Sequence, residues 1–260
     1  MYMGKSENIK PIGFFDSGVG GLSVMKKAIE FMPWEDYIYF GDSKNAPYGT
    51  KTVDEVKELT FNAAEFLIKQ GVKAVVIACN TATSAAIDEL RAHYKEIPII
   101  GIEPALKPAV ELSDGGKIII MATPMTLAEK KFKKLMDRYA EEADIIPLPC
   151  AGLVELIESG VTEGDELIQF LEDKFQDIDK DTISAVVLGC THYPFVKKAI
   201  SKVLGEKAIL IDGSEGTAKE LRRRLGKNGI LGDKGRKGQI KIYNSLKDNK
   251  VIELSYRLLE

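Results

Sequence analysis

Short apolar runs alternate with longer segments of helical periodicity along most of the 260-residue chain. Several runs are apolar at every position, as in residues 75–78, which is typical of strands covered on both faces in a parallel sheet. This alternation of strands and helices predicts an α/β fold. Strands are predicted at residues 12–16, 37–41, 74–79, 98–102, 117–122, 144–147, 185–189 and 208–212, and helices at residues 53–70, 82–94, 125–139 and 195–203.

One pattern occurs twice in the chain. Residues 75–81 are Val-Val-Ile-Ala-Cys-Asn-Thr, and residues 186–192 are Val-Val-Leu-Gly-Cys-Thr-His. A single match of this kind arises from composition alone. Looser matches follow the same order, however, and three ordered matches favour two related lobes. They pair residues 101–105 with 211–215 and residues 12–17 with 118–124.

We therefore predict two pseudo-symmetric lobes, each a mostly parallel sheet flanked by helices, with the active site in the cleft between them. The first lobe is expected to contain residues 1–104 and 217–260, and the second residues 105–216. Residues 251–259 are predicted to form a helix that packs back onto the first lobe.

Composition narrows the class of protein. The net charge of −3 gives no footprint for nucleic acid or an anionic membrane, and no apolar run approaches the ~20 residues that span a bilayer. Residues 1–10 are polar and lack a secretory signal, so a cytoplasmic location is expected. Three cysteines in that compartment do not indicate disulfides, and two histidines without a CxxC pair make a metal site unexpected.

Cys79 and Cys190 each end an apolar strand, at the sheet edge where α/β proteins bind ligands. A single cysteine in this setting is more often a small buried apolar residue. Two in matching positions favour reactive thiols, which a helix N-terminus stabilises as thiolates. One thiolate and one thiol suit removal of an α-proton and its return on the other face. Cys150 has no counterpart and is interpreted as structural.

Other side chains follow strands on the same edge. Asp16 precedes a glycine-rich turn that matches neither the dinucleotide nor the P-loop pattern, and its alternative role is to cap a helix. Residues 41–49 form a second turn-rich loop, which could equally be a surface turn. His192 lies two residues after Cys190, close enough to act on that thiol.

Together these segments resemble the glutamate racemases of the aspartate/glutamate racemase family. The matching stretches run in the expected order through most of residues 12–218, and the ordered set is far more specific than any one stretch. They are residues 13–23, 41–49, 78–84, 101–108, 122–127, 188–195 and 212–218.

The resemblance implies an isomerase that racemises glutamate without a cofactor and supplies D-glutamate for peptidoglycan. Cys79 would take the α-proton from D-glutamate, assisted by Asp16, and Cys190 from L-glutamate, assisted by His192 and Glu158. A homodimer is expected. The resemblance also implies that glutamate is held by Asp16, Ser17, Tyr48, Gly49, Asn80, Thr81, Thr191 and His192.

Two other interpretations stay open. An aspartate racemase would keep the two-cysteine mechanism but need a shallower pocket for a shorter side chain. A binding module could clamp an amino acid without chemistry, although the paired cysteines would then be unexplained.

Overall fold

The computed structural model describes residues 8–259, apart from the side chains of residues 130 and 131. These residues form two compact units. Unit 1 holds the described residues up to Ile102 and from Ser214 onward, and unit 2 is Glu103–Gly213. These limits lie two and three residues from the predicted boundaries, and they keep the helix that begins at Ser214 whole.

Unit 1 is built on a five-stranded parallel sheet with the spatial order β4-β3-β1-β2-β9. Helices α1, α10 and α11 supply apolar side chains to one core with the sheet. The strands are β1 (Ile12–Asp16), β2 (Tyr37–Gly41), β3 (Ala74–Ile77), β4 (Ile99–Gly101) and β9 (Ile240–Asn244). The helices are α1 (Leu22–Phe31), α2 (Val53–Lys69), α3 (Asn80–His93), α10 (Ser214–Lys227) and α11 (Asn249–Leu259), with 3₁₀ turns at Ser43–Asn45 and Tyr48–Thr50.

Unit 2 contains a four-stranded parallel sheet with the order β6-β5-β7-β8. Its strands are β5 (Lys117–Ala122), β6 (Ile145–Pro149), β7 (Ile183–Leu188) and β8 (Ile209–Asp212). Its helices are α4 (Leu106–Leu112), α5 (Pro124–Ala128), α6 (Lys130–Tyr139), α7 (Leu153–Glu158), α8 (Asp165–Phe175) and α9 (Lys197–Leu204), with 3₁₀ turns at Lys180–Thr182 and Tyr193–Val196. Prolines 147 and 149 confine β6 to the sheet edge because they cannot donate to a second neighbour.

The first four strands of each unit have the same spatial order. In unit 1 this order is β4-β3-β1-β2, and in unit 2 it is β8-β7-β5-β6. Each sheet therefore places the third strand of its unit beside the first. Cys79 follows β3 and Cys190 follows β7, so the repeated sequence pattern lies at equivalent points of two equivalent sheets.

The α/β prediction is confirmed, and three local features differ from the sequence interpretation. The helix predicted at residues 125–139 is two helices, because the backbone of Glu129 is extended. Strand β9 was not predicted, and the first residues of the helix predicted at 195–203 belong to a 3₁₀ turn, Tyr193–Val196, that precedes α9. The helix predicted at residues 251–259 is present as α11, which packs against α1 in unit 1.

Within residues 8–259 no helix is both long and apolar enough to cross a membrane.

Candidate functional site

The carboxyl ends of β1, β2 and β3 meet at one edge of the unit 1 sheet. Asp16 pairs in register with Gly41 of β2, and Phe15 pairs with Ile77 of β3. Cys79 follows β3 by two residues. The sheet register therefore gathers Asp16, the loop at residues 41–49 and Cys79, as the sequence predicts for strand ends of a parallel sheet.

Asp16 is fully buried, and its Oδ1 accepts a hydrogen bond of 2.9 Å from the backbone of Gly18. This bond folds the glycine-rich turn back over the end of β1. Gly21 is required by close packing, because a Cβ at that position would lie 2.6 Å from the Cβ of Asp16 and 2.9 Å from that of Ala78. The turn thus holds the Asp16 carboxylate against the strand that precedes Cys79.

Cys79 is the N-cap residue of α3. Its backbone is extended, and its sulfur accepts a hydrogen bond from the Ala82 backbone N–H at 3.5 Å. The thiol also lies 3.6 Å from the Ser17 hydroxyl oxygen. The helix dipole and the N–H donor both favour negative charge on this sulfur, and the side chain is 5% exposed.

Asn80 and Thr81 form the first turn of α3 and are both buried. Among the described residues, Oδ1 of Asn80 is a buried acceptor without a hydrogen-bond partner. An unpaired buried acceptor costs stability, and this oxygen is therefore available to a donor on a bound ligand.

Tyr48 brings the second loop to the same edge. Its ring is 1% exposed, and its hydroxyl donates a 2.7 Å hydrogen bond to Oδ2 of Asp42. Burial raises the pKa of Tyr48 far above its ordinary value, and the negative charges of Asp42, Cys79 and Asp16 add to the effect. Tyr48 is therefore a neutral donor at neutral pH. Gly49 follows it in the 3₁₀ turn.

Unit 2 surrounds its cysteine with a different set of groups. The sulfur of Cys190 lies 3.7 Å from Nδ1 of His192, whose Nε2 lies 2.6 Å from Oε1 of Glu158. Glu158 ends α7, and its side chain is 25% exposed while that of His192 is 3% exposed. The three side chains form a line from carboxylate to imidazole to thiol, and a proton can be held or passed along it.

The residues after Cys190 form a short 3₁₀ turn rather than an α-helix. The backbone N–H of Tyr193 bonds to the Cys190 carbonyl at 3.1 Å, and Pro194 stands in the first turn, where a helix tolerates proline. Thr191, the residue that follows Cys190, is buried. The sulfur of Cys190 therefore has the imidazole of His192 as its neighbour, whereas the sulfur of Cys79 lies at the N-terminus of a helix.

Cys150 is buried in the core of unit 2 at 1% exposure, and its thiol donates to the carbonyl of Leu148 at 3.4 Å. Burial raises the pKa of this thiol to about 12. It is a neutral, packed side chain, as its lack of a counterpart in the repeat indicates.

Asp42 is a site residue that the sequence interpretation missed. It lies directly after β2, is 4% exposed, and joins Tyr48 to Asn45 through its carboxylate. The sequence does contain an indication of this role, because Asp42 directly follows a buried strand at the same sheet edge as Asp16.

In the part of the chain that the structure describes, no three histidine, cysteine, aspartate or glutamate side chains cluster closely enough to hold a metal ion.

Comparison with known proteins agrees with the resemblance found in the sequence. A family model described as Asp/Glu/Hydantoin racemase matches residues 18–239. The chain is 64% identical over 250 residues to the glutamate racemase of Clostridium novyi (strain NT), covering 96% of each chain.

Two solved structures extend the comparison. The glutamate racemase of Francisella tularensis in complex with D-glutamate has a TM-score of 0.84 at 32% identity, over 97% of this chain and 94% of that one. The Escherichia coli glutamate racemase in complex with L-glutamate and the activator UDP-MurNAc-ala has a TM-score of 0.85 at 28% identity, over 96% of this chain and 95% of that one.

Proposed function

The chain belongs to the family of Asp/Glu/hydantoin racemases, and we propose that it interconverts L- and D-glutamate by transfer of the α-proton between two cysteines. Cys79 removes the proton from D-glutamate, and Cys190 removes it from L-glutamate. Each thiol returns the proton when the reaction runs the other way. No cofactor takes part.

One observation carries the proposal. Two buried thiols follow equivalent strands of two sheets with the same strand order, and each lies beside its own polar partner, Ser17 for Cys79 and His192 for Cys190. Racemisation needs one base and one acid, one on each face of the α-carbon. A binding module needs neither, so reactive cysteines at both positions favour an enzyme.

On the Cys79 side, the thiolate is stabilised by the N-terminus of α3 and by the Ala82 N–H. Ser17 can exchange a hydrogen bond with the sulfur as its charge changes. The Asp16 carboxylate lies at the adjoining strand end and assists by orienting the substrate ammonium group. The α-proton is weakly acidic, so orientation and desolvation of the thiolate supply much of the rate.

On the Cys190 side, His192 accepts the thiol proton and so forms the thiolate. Glu158 fixes the imidazole by its bond to Nε2 and stabilises the imidazolium that results. When Cys190 takes the α-proton it becomes a thiol again and His192 is left as an imidazolium, while Cys79, which has given its proton to the opposite face, is left as a thiolate. The starting state returns when His192 loses one proton to solvent and Cys79 gains one from it. The two sides therefore both use a cysteine thiolate as the base, and they differ in how that thiolate is formed.

Glutamate is held by polar groups of the loops that follow the strands. Asn80 Oδ1 would accept from the substrate ammonium, which supplies the donor that this oxygen lacks. Ser17, Thr81 and Thr191 offer hydroxyl and backbone donors to carboxylates. Tyr48, Gly49 and His192 complete the proposed set.

The cellular setting is proposed from family membership. The enzyme acts in the cytoplasm as a homodimer, and its D-glutamate supplies peptidoglycan synthesis.

The test is a solvent-exchange assay with purified protein, treated with chelator and free of nucleotides. L-Glutamate incubated in D₂O should yield D-glutamate that carries deuterium at the α-carbon, and Cys79→Ser and Cys190→Ser should each abolish the conversion. A folded wild-type protein that catalyses neither conversion nor exchange would overturn the proposal. L-Aspartate under the same conditions tests the alternative substrate, and turnover of aspartate in place of glutamate would reassign it.

A further inference from the structure

Strand β9 fixes the loop that carries Tyr48. β9 runs parallel to β2, and Asn244 is in register with Gly41. At the end of β9, Nδ2 of Asn244 donates to Oγ of Ser43 at 2.8 Å. Oγ of Ser245 accepts from the Lys44 backbone at 2.9 Å, and the Ser245 N–H donates to the Gly41 carbonyl at 2.9 Å. Three hydrogen bonds thus join the turn after β9 to the turn after β2.

The Asn244 side chain is held in a single orientation. It is 7% exposed, and its Oδ1 accepts a 2.9 Å hydrogen bond from the Leu246 backbone. With the oxygen occupied inside its own turn, the amide nitrogen faces Ser43. Asparagine is suited to this position because one planar group supplies an acceptor and a donor in opposite directions.

The bonds continue from Ser43 to the candidate site. Asp42, the neighbour of Ser43, accepts from the Tyr48 hydroxyl at 2.7 Å and from Nδ2 of Asn45 at 3.0 Å. Cys79 lies close enough to Tyr48 that its charge raises the pKa of the phenol. Displacement of Ser43 would therefore shift the Asp42 carboxylate and, through it, the Tyr48 ring.

We propose that Asn244 is a positioning residue for the substrate-binding loop at residues 42–50, an inference that rests on the proposed racemase function. The match to the family model ends at residue 239, so this contact comes from the part of the chain beyond it. Asn244 acts through Ser43 and Asp42. It sets where Tyr48 and Gly49 meet glutamate, and it leaves the hydrogen bonds of Cys79 to Ser17 and Ala82 unchanged.

We expect the loss of this contact to change mainly the KM for glutamate. Asn244→Ala should raise the KM for glutamate about five- to tenfold, as expected for one lost buried hydrogen bond, while kcat falls about twofold or less. Ser43→Ala removes the acceptor but leaves the Asn244 turn intact, so it should raise KM by a similar factor. The double variant should show no larger effect than either single one, because both remove the same bond.

Hydrogen exchange supplies a measurement that does not require activity. The backbone N–H groups of Lys44, Asn45 and Ala46 are bonded within the loop or to Ser245, so their exchange should accelerate in Asn244→Ala and Ser43→Ala. Asp248→Ala is the matched control, since it removes the acceptor of the Lys250 N–H at the start of α11 but touches no loop residue.

The outcomes distinguish the positioning role of Asn244 from the proposed racemase function. Faster loop exchange and raised KM in both single variants, with neither effect in Asp248→Ala, support the positioning role. Unchanged KM and exchange in Ser43→Ala would overturn it, even if Asn244→Ala fails to fold. Equal effects in Asp248→Ala would also overturn it, since they would show general loosening of the C-terminal segment. Absence of racemisation by wild-type protein would contradict the proposed function, while the exchange data would still test the loop contact.

Discussion

The Glu158 carboxylate and the His192 imidazole are joined by a hydrogen bond of 2.6 Å between Oε1 and Nε2. The bond holds the other ring nitrogen toward the sulfur of Cys190, 3.7 Å away. Because the two residues are 34 positions apart in sequence, the arrangement depends on the packing of α7 against the 3₁₀ turn after β7.

Replacement of Glu158 by glutamine tests this arrangement. The amide keeps the shape but removes the charge that stabilises the imidazolium, so kcat/KM should fall about 10- to 100-fold, as for loss of a charge-assisted hydrogen bond. The two enantiomers have equal free energy, so kcat/KM must fall by the same factor in both directions. Racemisation assays started from each enantiomer measure this, and a variant with wild-type kcat/KM would show that Glu158 has no part in proton transfer.

Alkylation should distinguish the three cysteines. The raised pKa of Cys150, about 12, keeps that thiol protonated at pH 8, and protonated thiols react slowly with iodoacetamide. We expect Cys79 or Cys190 to be labelled first, and glutamate to protect the labelled residue. Mass spectrometry of peptides from briefly treated protein gives the order. First labelling of Cys150 in folded protein would contradict its structural role.

Gly21 should tolerate no side chain. In Gly21→Ala the new methyl group would lie 2.6 Å from the Cβ of Asp16, so Asp16 and the turn must move. Overpacking of this kind costs about 1–3 kcal/mol, and activity should fall with it. Gly216→Ala is the matched control, because nothing lies within 4 Å of that position in α10. The control should stabilise the fold by about 0.4–1 kcal/mol, and urea titrations measure both changes.

Removal of one partner of the ion pair between Lys73 and Glu35 should be strongly destabilising. Its side chains are 0% and 1% exposed, Nζ lies 2.6 Å from Oε2, and Oε1 of Glu35 also accepts from the Gly232 backbone. Glu35→Ala leaves a buried ammonium without its partner and should cost about 3–5 kcal/mol. The double variant Glu35→Leu with Lys73→Met should cost less. Equal losses in the single and double variants, compared by chemical denaturation, would contradict this account.

Much of the strand pattern follows from the sequence because buried parallel strands are apolar at every position. β1, β3 and β7 are fully buried along their length, and each was predicted within one or two residues. Cys79 and Cys190 could be selected for the same reason, since each stands where such a run ends.

Features that depend on distant contacts could not be predicted in this way. β9 is a five-residue strand among lysines, and its partner β2 lies about 200 positions earlier, so no local signal indicates the pairing. The bond from Asn244 to Ser43 depends on that pairing. The link between Glu158 and His192 was expected only from the family resemblance, because an acidic residue at a helix end is more often solvated.

Unit 1 is assembled from both ends of the chain, whereas unit 2 is one continuous segment. During synthesis, all of unit 2 is translated before β9 and α11. The edge of β2 that β9 covers therefore stays open until β9 has been translated. A β2 edge exposed for that long is a site for mispairing with another chain, and early termination of translation would leave it permanently uncovered.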